Sequence, residues 1–301
     1  MGNGTEYVRK AGGTMIQDIL PQKLYNTFVR KEPLPDSRIL SFRGGQAYYR
    51  ERDGEIMFLS FRRVNEYYEE KGQELPEAVF LFSVDTQDYF LMDLGDILIE
   101  KYTYHKMFET RRLFPKENVL AAATGWHLYV WYRDNQYCGR CARKLVHDDK
   151  LRMMKCPDCG NMVFPKIAPA VIVGVIDGDR ILMTKYADRE YKKYALIAGF
   201  TEIGETAEQT VEREVMEEVG LSVKNIRYYK SQPWGYDSNL LLGYFCDLAQ
   251  EEEIHLDQTE LSLAEWVDYR DVPDDPEGLS LTREMMITFR EQKKREHSQR
   301  S

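Results

Sequence analysis

The sequence predicts an α+β protein in three consecutive parts, namely an N-terminal mixed α/β domain, a small cysteine ribbon and a C-terminal domain of strands and helices. Three observations predict this order. Strand-like runs and one helical stretch come first, two CxxC pairs follow, and strands with interspersed helices resume at Pro165. The 301 residues suffice for about two domains of roughly 150 residues. We place the three parts at 1–135, 136–164 and 165–301.

The composition is that of a globular chain with an acidic surface. Hydrophobic residues make up 43%, and 41 Lys and Arg stand against 50 Asp and Glu, for a net charge of −9. Such a chain can form real cores, but it is a poor candidate for a sequence-blind DNA binder. Its longest apolar stretch, Ala170–Ile176, is far shorter than the ~20 residues of a membrane helix, and MGNGTEYVRK is no signal peptide. We expect a cytoplasmic protein without a membrane partner.

The sequence of residues 1–135 predicts strands and a helix but contains no catalytic constellation. Ala78–Val84 and Tyr89–Leu94 are strand-like, and Glu117–Asn135 is helical in character. Its histidines, His105 and His127, are isolated, so we expect them to serve packing or the surface. We expect this part to have an architectural or dimer-forming role.

Four of the five cysteines form two CxxC pairs, separated by residues 142–155. Each pair turns two thiolates toward one point, and the intervening hairpin brings the second pair opposite, which is the tetrahedral four-thiolate zinc pattern. A redox CxxC, which needs only one pair, and an iron centre of the rubredoxin type are the alternatives. Because four thiolates leave no open coordination position, we expect one structural zinc ion per chain. Its ligands would be Cys138, Cys141, Cys156 and Cys159.

Other parts of the C-terminal half predict ordinary structure. Two strands should flank the glycine turn at Asp177–Asp179. Cys246 lies within the apolar run LLLGYFC and is expected to be a buried core thiol. The charged tail Arg290–Arg300 predicts a solvated helix end rather than a nucleic-acid-binding arm.

The segment Gly199–Leu221 predicts a helix with strong end signals. Thr206 and Gln209 form a capping box, so the helix should begin there. Gly220 is suited to the position after the last helical residue, so the helix should end near Val219. An apolar stripe on one side, which should be buried against a sheet, consists of Val211, Val215 and Val219.

Three glutamates crowd the neighbouring face of this helix. Glu214, Glu217 and Glu218 fall within an arc of about 100°, where their like charges repel one another. A solvated acidic face is the simpler interpretation of three glutamates alone. A site for Mg²⁺ or Mn²⁺ explains the crowding, because these hard cations prefer oxygen ligands and can bridge them to phosphate.

The wider pattern decides between these interpretations. Gly199, Glu205, the run Arg213–Glu218 and the pair Gly220–Leu221 match every fixed position of the Nudix box. The chain therefore resembles Nudix hydrolases, which cleave nucleoside diphosphates linked to another moiety. The cysteine ribbon directly upstream is similar to that of the NADH pyrophosphatase branch, in which an N-terminal domain, a zinc ribbon and a Nudix domain follow in this order. The resemblance implies that 165–301 is a Nudix α/β/α sandwich with a mixed sheet.

A second signature of that branch, SQPWPFPxS, corresponds to SQPWGYDSN at Ser231–Asn239. The first four residues match, whereas Gly235, Tyr236, Asp237 and Asn239 depart from it. The match implies a dinucleotide substrate. The departures leave open the preference among NADH, NAD⁺, ADP-ribose, dinucleoside polyphosphates and NAD-capped RNA. The resemblance implies that the substrate pocket is lined by Gln232, Pro233, Trp234, Gly235, Tyr236, Asp237, Ser238 and Asn239.

The resemblance also implies roles for individual residues. Arg213 would orient the glutamates by ion pairing, and Glu218 or Glu260 would orient or deprotonate the attacking water. Phe164 and Phe200 would stack on the nicotinamide, with plain core packing as the alternative for both. Glu217 would lie beside the catalytic Mg²⁺ or Mn²⁺ ligands, which are the carbonyl of Ala198 and the carboxylates of Glu214, Glu218 and Glu260.

The implied activity is metal-dependent hydrolysis of the pyrophosphate bond of NAD(H) to nicotinamide mononucleotide and AMP, with removal of NAD caps from RNA as the same bond chemistry. The branch also implies a homodimer. The chain has neither GxxxxGK[ST] nor a strand–GxGxxG–helix unit, so NAD would be a substrate and not a redox cofactor. Two alternatives of another class are an NAD-sensing module without catalysis and an RNA-binding protein. The latter would use the basic ribbon residues Arg140, Arg143, Lys144, Lys150, Arg152 and Lys155.

Overall fold

Two small sheets and two helices precede the cysteines. The structure, a computed structural model, describes residues 15–187, 193–274 and 279–300. The helices are α1 (Phe61–Lys71) and α2 (Lys116–Asp134), so the predicted helix at Glu117–Asn135 is confirmed. The strands are β1 (Leu24–Tyr25), β2 (Arg38–Leu40), β3 (Phe42–Arg43), β4 (Gln46–Arg52), β5 (Glu55–Met57), β6 (Leu59–Ser60), β7 (Val79–Val84), β8 (Gln87–Leu91) and β9 (Thr103–Lys106).

The strands of this part pair into two groups. One sheet has the order β1-β7-β8-β2-β6, and the other has β3-β4-β5 with β9 on β4. The predicted strands at Ala78–Val84 and Tyr89–Leu94 correspond to the antiparallel neighbours β7 and β8. A 3-10 helix at Met107–Arg112 leads into α2.

Three short antiparallel strands form the cysteine ribbon, in which Cys138 and Cys141 precede the first strand and Cys156 and Cys159 lie between the second and the third. They are β10 (Val146–His147), β11 (Met154–Lys155) and β12 (Met162–Val163), in the order β10-β11-β12. A chain of four residues, from Phe164 to Ile167, joins β12 directly to the first strand of the following sheet.

The C-terminal part is a mixed sheet between two helices, as the resemblance implied. Its order is β16-β17-β13-β14-β18, with β15 also on β13, and only β13 and β17 run parallel. The helices are α3 (Ala207–Val219) and α4 (Leu281–Arg300). The strands are β13 (Ala168–Asp177), β14 (Arg180–Tyr186), β15 (Ile197–Phe200), β16 (Val223–Trp234), β17 (Asn239–Leu248) and β18 (Leu261–Asp268).

Alternation along β13 separates two cores. Val171, Val173 and Val175 pack with the valine stripe of α3, whereas Ala170 and Ile172 face the opposite side with α4. This second core also contains α2 and the strands of the N-terminal part, so one apolar core spans residues before 135 and after 165. The domain boundaries at 136 and 165 stay predictions.

Two further predictions concern single features. The strands β13 and β14 flank the Asp177–Asp179 turn as expected, and Cys246 is fully buried. Burial raises the pKa of the Cys246 thiol to about 12, which suits an inert core residue. Among the described helices, none combines the length and the apolar character that crossing a membrane would need.

Candidate functional site

The helix α3 begins and ends where its sequence signals place it. The Thr206 hydroxyl accepts a hydrogen bond from the Gln209 backbone N–H at 3.2 Å, and the Gln209 side chain accepts one from the Thr206 N–H at 2.8 Å. Gly220 follows Val219 in the left-handed conformation with φ 68°. These fixed ends set the rotation of the helix against the sheet.

Burial of the valine stripe turns two of the three glutamates inward. Val211, Val215 and Val219 are fully buried. Glu214 and Glu218, which lie beside the stripe, are 9% and 3% exposed, whereas the Glu217 side chain is 60% exposed. The solvent exposure of the three glutamates therefore differs across the crowded face, and Glu217 lies at the edge nearest to solvent.

Glu214 lies directly against the backbone of β15. A Cβ atom at Gly199 would fall 1.9 Å from the Glu214 Cδ atom and 2.0 Å from both carboxylate oxygens. Real Cβ atoms essentially never show contacts under 3.0 Å. A larger residue at position 199 would therefore displace the Glu214 carboxylate, which lies next to the Gly199 backbone.

Arg213 holds the carboxylates of the box together. Its Nη1 donates to Glu214 Oε1 at 2.8 Å and to Glu217 Oε2 at 2.9 Å. Its Nε and Nη2 form a two-pronged pair with Glu205 at 2.6 and 2.9 Å, and Nη2 also donates to the Phe200 carbonyl at 2.9 Å. The guanidinium thus links α3 to the end of β15, and its role in orienting the glutamates stays a prediction.

Glu205 is a residue of the site to which the sequence assigned no role. Its hydrogen bonds from Arg213, from the Glu202 backbone N–H and from the Thr210 hydroxyl lower its pKa to about 2. The signal that could have identified it was its fixed position in the box. Glu205 keeps the guanidinium in place, so that Arg213 is anchored on the side away from Glu214.

The carboxyl of Glu214 is held in an environment that disfavours its charge. Burial raises the pKa of Glu214, the Arg213 hydrogen bond opposes this shift, and the charges of Glu217 and Glu260 add to it. A divalent cation would relieve this repulsion.

Glu260 is exposed on a turn that is fastened to the end of α3. The Asp257 N–H donates to the Glu218 carbonyl at 2.9 Å, and the His255 N–H donates to the Val219 carbonyl at 2.9 Å. The Glu260 carbonyl in turn accepts from the Ala187 N–H at 2.9 Å. The charge of Glu260 contributes to the raised pKa of Glu214, so the Glu260 carboxylate faces the box from a second segment.

The donor chemistry of this cluster fits Mg²⁺ or Mn²⁺, because all its candidate ligands are carboxylate or carbonyl oxygens. Among the described residues, only the four cysteines bring three or more ligand atoms within 4.8 Å of one another. The glutamate oxygens are spread more widely, as mutual repulsion requires, and Arg213 occupies one oxygen each of Glu214 and Glu217.

The two phenylalanines expected at the nicotinamide are on the surface. The exposed fractions are 53% for Phe164 and 55% for Phe200, so the alternative of core packing is wrong for both. Phe200 ends β15 and pairs with Ala170, at the edge of the sheet where the strands β13 and β17 begin. Its ring is therefore available beside the glutamate cluster.

Three residues of the SQPWGYDSN segment serve packing in this chain. The buried Gln232 side chain donates to the Leu279 carbonyl at 2.9 Å and accepts from the Leu281 N–H at 2.8 Å, which ties β16 to the start of α4. Trp234 and Tyr236 are both buried, and Tyr236 bonds Thr110 of the N-terminal part through its hydroxyl at 2.9 Å. Nothing in the sequence of the segment indicates these roles.

Gly235 explains one departure from the branch signature. A Cβ atom there would lie 2.2 Å from the Ala123 carbonyl oxygen in α2. Next to it, the Trp126 indole N–H donates to the Tyr236 carbonyl at 3.2 Å. The backbone of α2 packs so closely on the 3-10 helix Gly235–Asp237 that only glycine fits.

Three other residues of the segment, Pro233, Gly235 and Asn239, line a cavity of about 520 Å³. Its other walls come from α2, from Ile167 and from the stretch between Gln17 and Asn26. Among the described side chains, the Asn239 Oδ1 atom is buried without a hydrogen-bond partner. The cavity has the size of a small-ligand site, and its walls are mostly apolar with several polar side chains among them. Ser238, in the left-handed conformation, and Asp237, which accepts from the Trp234 indole at 3.0 Å, complete the turn.

The four ribbon cysteines converge on one point. Their sulfur atoms lie 3.4 to 3.6 Å apart in the pairs Cys138–Cys159, Cys141–Cys156 and Cys141–Cys159. A tetrahedron with Zn–S bonds of about 2.3 Å has edges of about 3.8 Å, so the four thiols fit zinc. Backbone N–H groups lower the pKa of Cys138 to about 6 and also lower the pKa of Cys156, whereas hydrogen bonds with the neighbouring thiols raise the pKa of Cys141 to about 12. A redox pair does not account for four converging sulfurs.

Two family models match consecutive stretches of the chain. The NADH pyrophosphatase zinc ribbon domain matches residues 133–164, and the NUDIX domain matches residues 166–288. A solved NUDIX hydrolase from Nitrosomonas europaea is similar with a TM-score of 0.47 and 20% identity, over 53% of this chain and 93% of that one.

Several similar proteins are named NAD-capped RNA hydrolase NudC. The protein of Klebsiella pneumoniae is 37% identical over 171 residues, which are 56% of this chain and 66% of that protein. The protein of Photorhabdus laumondii is 34% identical over 191 residues, which are 63% and 74% of the two chains. The alignments thus span about two thirds to three quarters of these relatives. The chain belongs to the Nudix hydrolase family, in the branch that carries the NADH pyrophosphatase zinc ribbon.

Proposed function

We propose that this chain hydrolyses the pyrophosphate bond of NAD(H), with nicotinamide mononucleotide and AMP as products, and that it removes the NAD cap from RNA by the same reaction. The observation that carries the proposal is the folded box, in which Gly199 and Arg213 hold the buried Glu214 carboxylate from two sides. The names of the similar proteins agree with this activity.

The residues that would hold Mg²⁺ or Mn²⁺ are Glu214, Glu218, Glu260 and the carbonyl of Ala198. Bound there, the ions would neutralise the phosphate oxygens and lower the pKa of the attacking water. Glu218 or Glu260 would accept the proton of that water. A general base must lie within hydrogen-bond reach of the proton that it accepts, and both carboxylates would be beside the attacking water. Glu217 and Arg213 would act on the position of the ligands, through the ion pairs described above.

The substrate would lie along the sheet edge that Phe200 shares with Asn239. Phe200 pairs with Ala170 of β13, and Asn239 pairs with Ala168 of the same strand. They are two strands apart, which corresponds to about 10 Å across the sheet. A dinucleotide can span this distance with one base on the exposed Phe200 ring and the other end at the cavity that Asn239 helps to line.

We further propose a homodimer, in which Phe164 of each chain reaches a nicotinamide site. Phe164, Ile167, Phe200 and Ile203 are all more than half exposed, which supports a partner surface at this end of the molecule.

The test compares the native protein with Glu218→Gln, which keeps the shape of the buried side chain but removes its charge. Hydrolysis of NADH with Mn²⁺ should fall at least about 100-fold, because a metal ligand and candidate base is lost, while NADH still binds in equilibrium dialysis. Lys71→Ala, on the exposed end of α1, is the control and should retain the native rate. Hydrolysis by Glu218→Gln at the native rate would refute the assignment of this cluster.

A further inference from the structure

The three-stranded sheet of the ribbon has one face packed and one face open. His147, on the packed face, bonds the Tyr132 hydroxyl of α2 at 2.6 Å and stacks on Phe28 at 5.1 Å between ring centroids. Arg30 of the same N-terminal stretch donates to the His147 carbonyl at 3.1 Å. These contacts fix the orientation of the sheet, because alternate residues of its strands must then point outward.

Strand register identifies the residues of the open face. Val146 is paired with Lys155, and Lys155 is paired with Met162, so these three side chains form a row across β10, β11 and β12. All three are exposed. Lys144 lies just before β10, two residues ahead of Val146 with the buried Leu145 between, and it pairs with Tyr137 in an isolated bridge.

The open face therefore alternates cationic with aromatic or apolar side chains. We call it the lysine–tyrosine face and define it by Tyr137, Lys144, Val146, Lys155 and Met162. The Tyr137 ring is 64% exposed. Exposed rings beside lysines are what single-stranded nucleic acid requires, because bases stack on the rings while the ammonium groups approach the phosphates.

The charge of the ribbon differs in sign from that of the whole chain. Residues 136–164 contain six Lys and Arg against three Asp and no Glu, although the whole chain has a net charge of −9. Arg143 pairs with Asp158 at 2.8 Å, so part of this charge is used within the ribbon. A polyanion that approaches this acidic protein is therefore attracted to the ribbon.

The lysine–tyrosine face lies close to the reaction site along the chain. Met162 ends the row, and eight residues later Ala170 pairs with Phe200 at the sheet edge. Even a fully extended chain of this length spans no more than about 29 Å. An RNA chain whose NAD cap occupies the active site is long and flexible enough to reach the face.

We propose that the lysine–tyrosine face binds the single-stranded RNA body of NAD-capped substrates, in addition to the site that cleaves the cap. The inference rests on the proposed function. It predicts that capped RNA and free NADH differ in their dependence on this face, because free NADH has no RNA body to contact it.

The first test uses Lys144→Ala/Lys155→Ala in the full chain, with Lys71→Ala/Lys294→Ala on α1 and α4 as the matched control. Binding of a short 5′-hydroxyl single-stranded RNA with a 3′ fluorophore is measured by fluorescence anisotropy over a series of KCl concentrations. The slope of log K against log salt is negative, and each lost phosphate contact makes it shallower by about 0.7, so two contacts make it shallower by about 1.4. At about 0.1 M salt, relative to about 1 M, this corresponds to a loss of affinity of about 25-fold, and the control should bind as the native chain does.

The second test measures kcat/KM for NADH and for an NAD-capped version of the same RNA. The double alanine variant should lose about tenfold or more with capped RNA and keep the native value with NADH. Lys144→Arg/Lys155→Arg should restore RNA binding, since it keeps both charges, and Tyr137→Ala should weaken binding about tenfold by loss of one stacking ring. Zinc content and melting temperature verify that each variant is folded.

Two results would overturn the inference. One is unchanged RNA binding and unchanged turnover of capped RNA in both Lys144→Ala/Lys155→Ala and Tyr137→Ala. The other is a shift to monomers in light scattering with equal loss of both activities, which would make the face a contact between two copies. Failure of the proposed function has a different signature, because the native chain would then cleave neither substrate while the binding of uncapped RNA could still be measured.

Discussion

Replacement of Gly199 by alanine perturbs the candidate active site at one defined contact. The added methyl group would stand 1.9 Å from the Glu214 Cδ atom, where ordinary contacts begin at 3.4 Å. The carboxyl group must therefore move by about 1.5 Å. It cannot do so freely, because Arg213 holds Glu214 Oε1 at 2.8 Å and Glu205 holds Arg213 from the other side.

The size of this displacement sets the expected loss of activity. Misplacement of a catalytic group by about 1 Å can lower the rate about 100-fold. A displacement of about 1.5 Å should therefore lower kcat for NADH by at least about 100-fold. Overpacking should also cost about 1–3 kcal/mol in the free energy of unfolding, which leaves most of the protein folded at room temperature.

The assay is AMP release from NADH with Mn²⁺, measured beside a thermal unfolding curve. Gly139→Ala is the matched control, because a methyl group at Gly139 meets no atom within 4 Å and its backbone φ is not positive. The control should keep native activity. Native kcat in a folded Gly199→Ala protein would refute the argument that the position of Glu214 determines catalysis.

Three further predictions concern stability and metal content. Arg213 holds the pKa of Glu205 at about 2 in the folded protein, below its ordinary value of 4.5. The pair therefore stabilises the fold above about pH 4.5, and this contribution is lost as the pH falls toward 2. In urea unfolding, the difference in unfolding free energy between the native and Arg213→Ala proteins should shrink over that range, and a constant difference would contradict the prediction. Gly235→Ala should lower the melting temperature by several degrees, because its Cβ would clash with the Ala123 carbonyl. An unchanged melting temperature would show that α2 can move away to make room for the methyl group. Cys156→Ser should lose the zinc that elemental analysis finds in the native chain, at about one ion per chain, and full retention would contradict the four-thiolate site.

Local signals allowed the prediction of much of the C-terminal half. The ends of α3 follow from Thr206, Gln209 and Gly220, which act within a few residues of themselves. The burial of the valine stripe follows from helical periodicity. The zinc ligands follow from spacing alone, since the two CxxC pairs meet at one point in the structure.

The solvent exposure of Glu217 and of the two phenylalanines depends on how far their parts of the chain are buried in the folded protein. Periodicity placed Glu217 on the same face as Glu214 and Glu218, but a helix face has an edge, and Glu217 lies there in solvent. The apolar character of Phe164 and Phe200 could not decide whether they are core or surface residues, because the residue type is the same in either environment.

The SQPWGYDSN segment shows the limit of prediction from sequence. Gln232, Trp234 and Tyr236 pack against residues that are distant in the chain, and the close approach of Gly235 involves Ala123, which lies more than a hundred residues earlier. Such contacts arise only when α2 docks on the Nudix domain. The cavity beside Asn239 depends on the same docking, so neither could be derived from local patterns.

The most direct test of the central claim is chromatographic product analysis after incubation of the native chain with Mn²⁺. NADH, NAD⁺, ADP-ribose and a short NAD-capped RNA are incubated separately, with Glu218→Gln as the control. We expect reduced nicotinamide mononucleotide and AMP from NADH, nicotinamide mononucleotide and 5′-monophosphate RNA from capped RNA, and neither set of products from the variant. Intact NADH and intact capped RNA, with cleavage of ADP-ribose alone, would contradict the proposed substrate although the Nudix chemistry would stand.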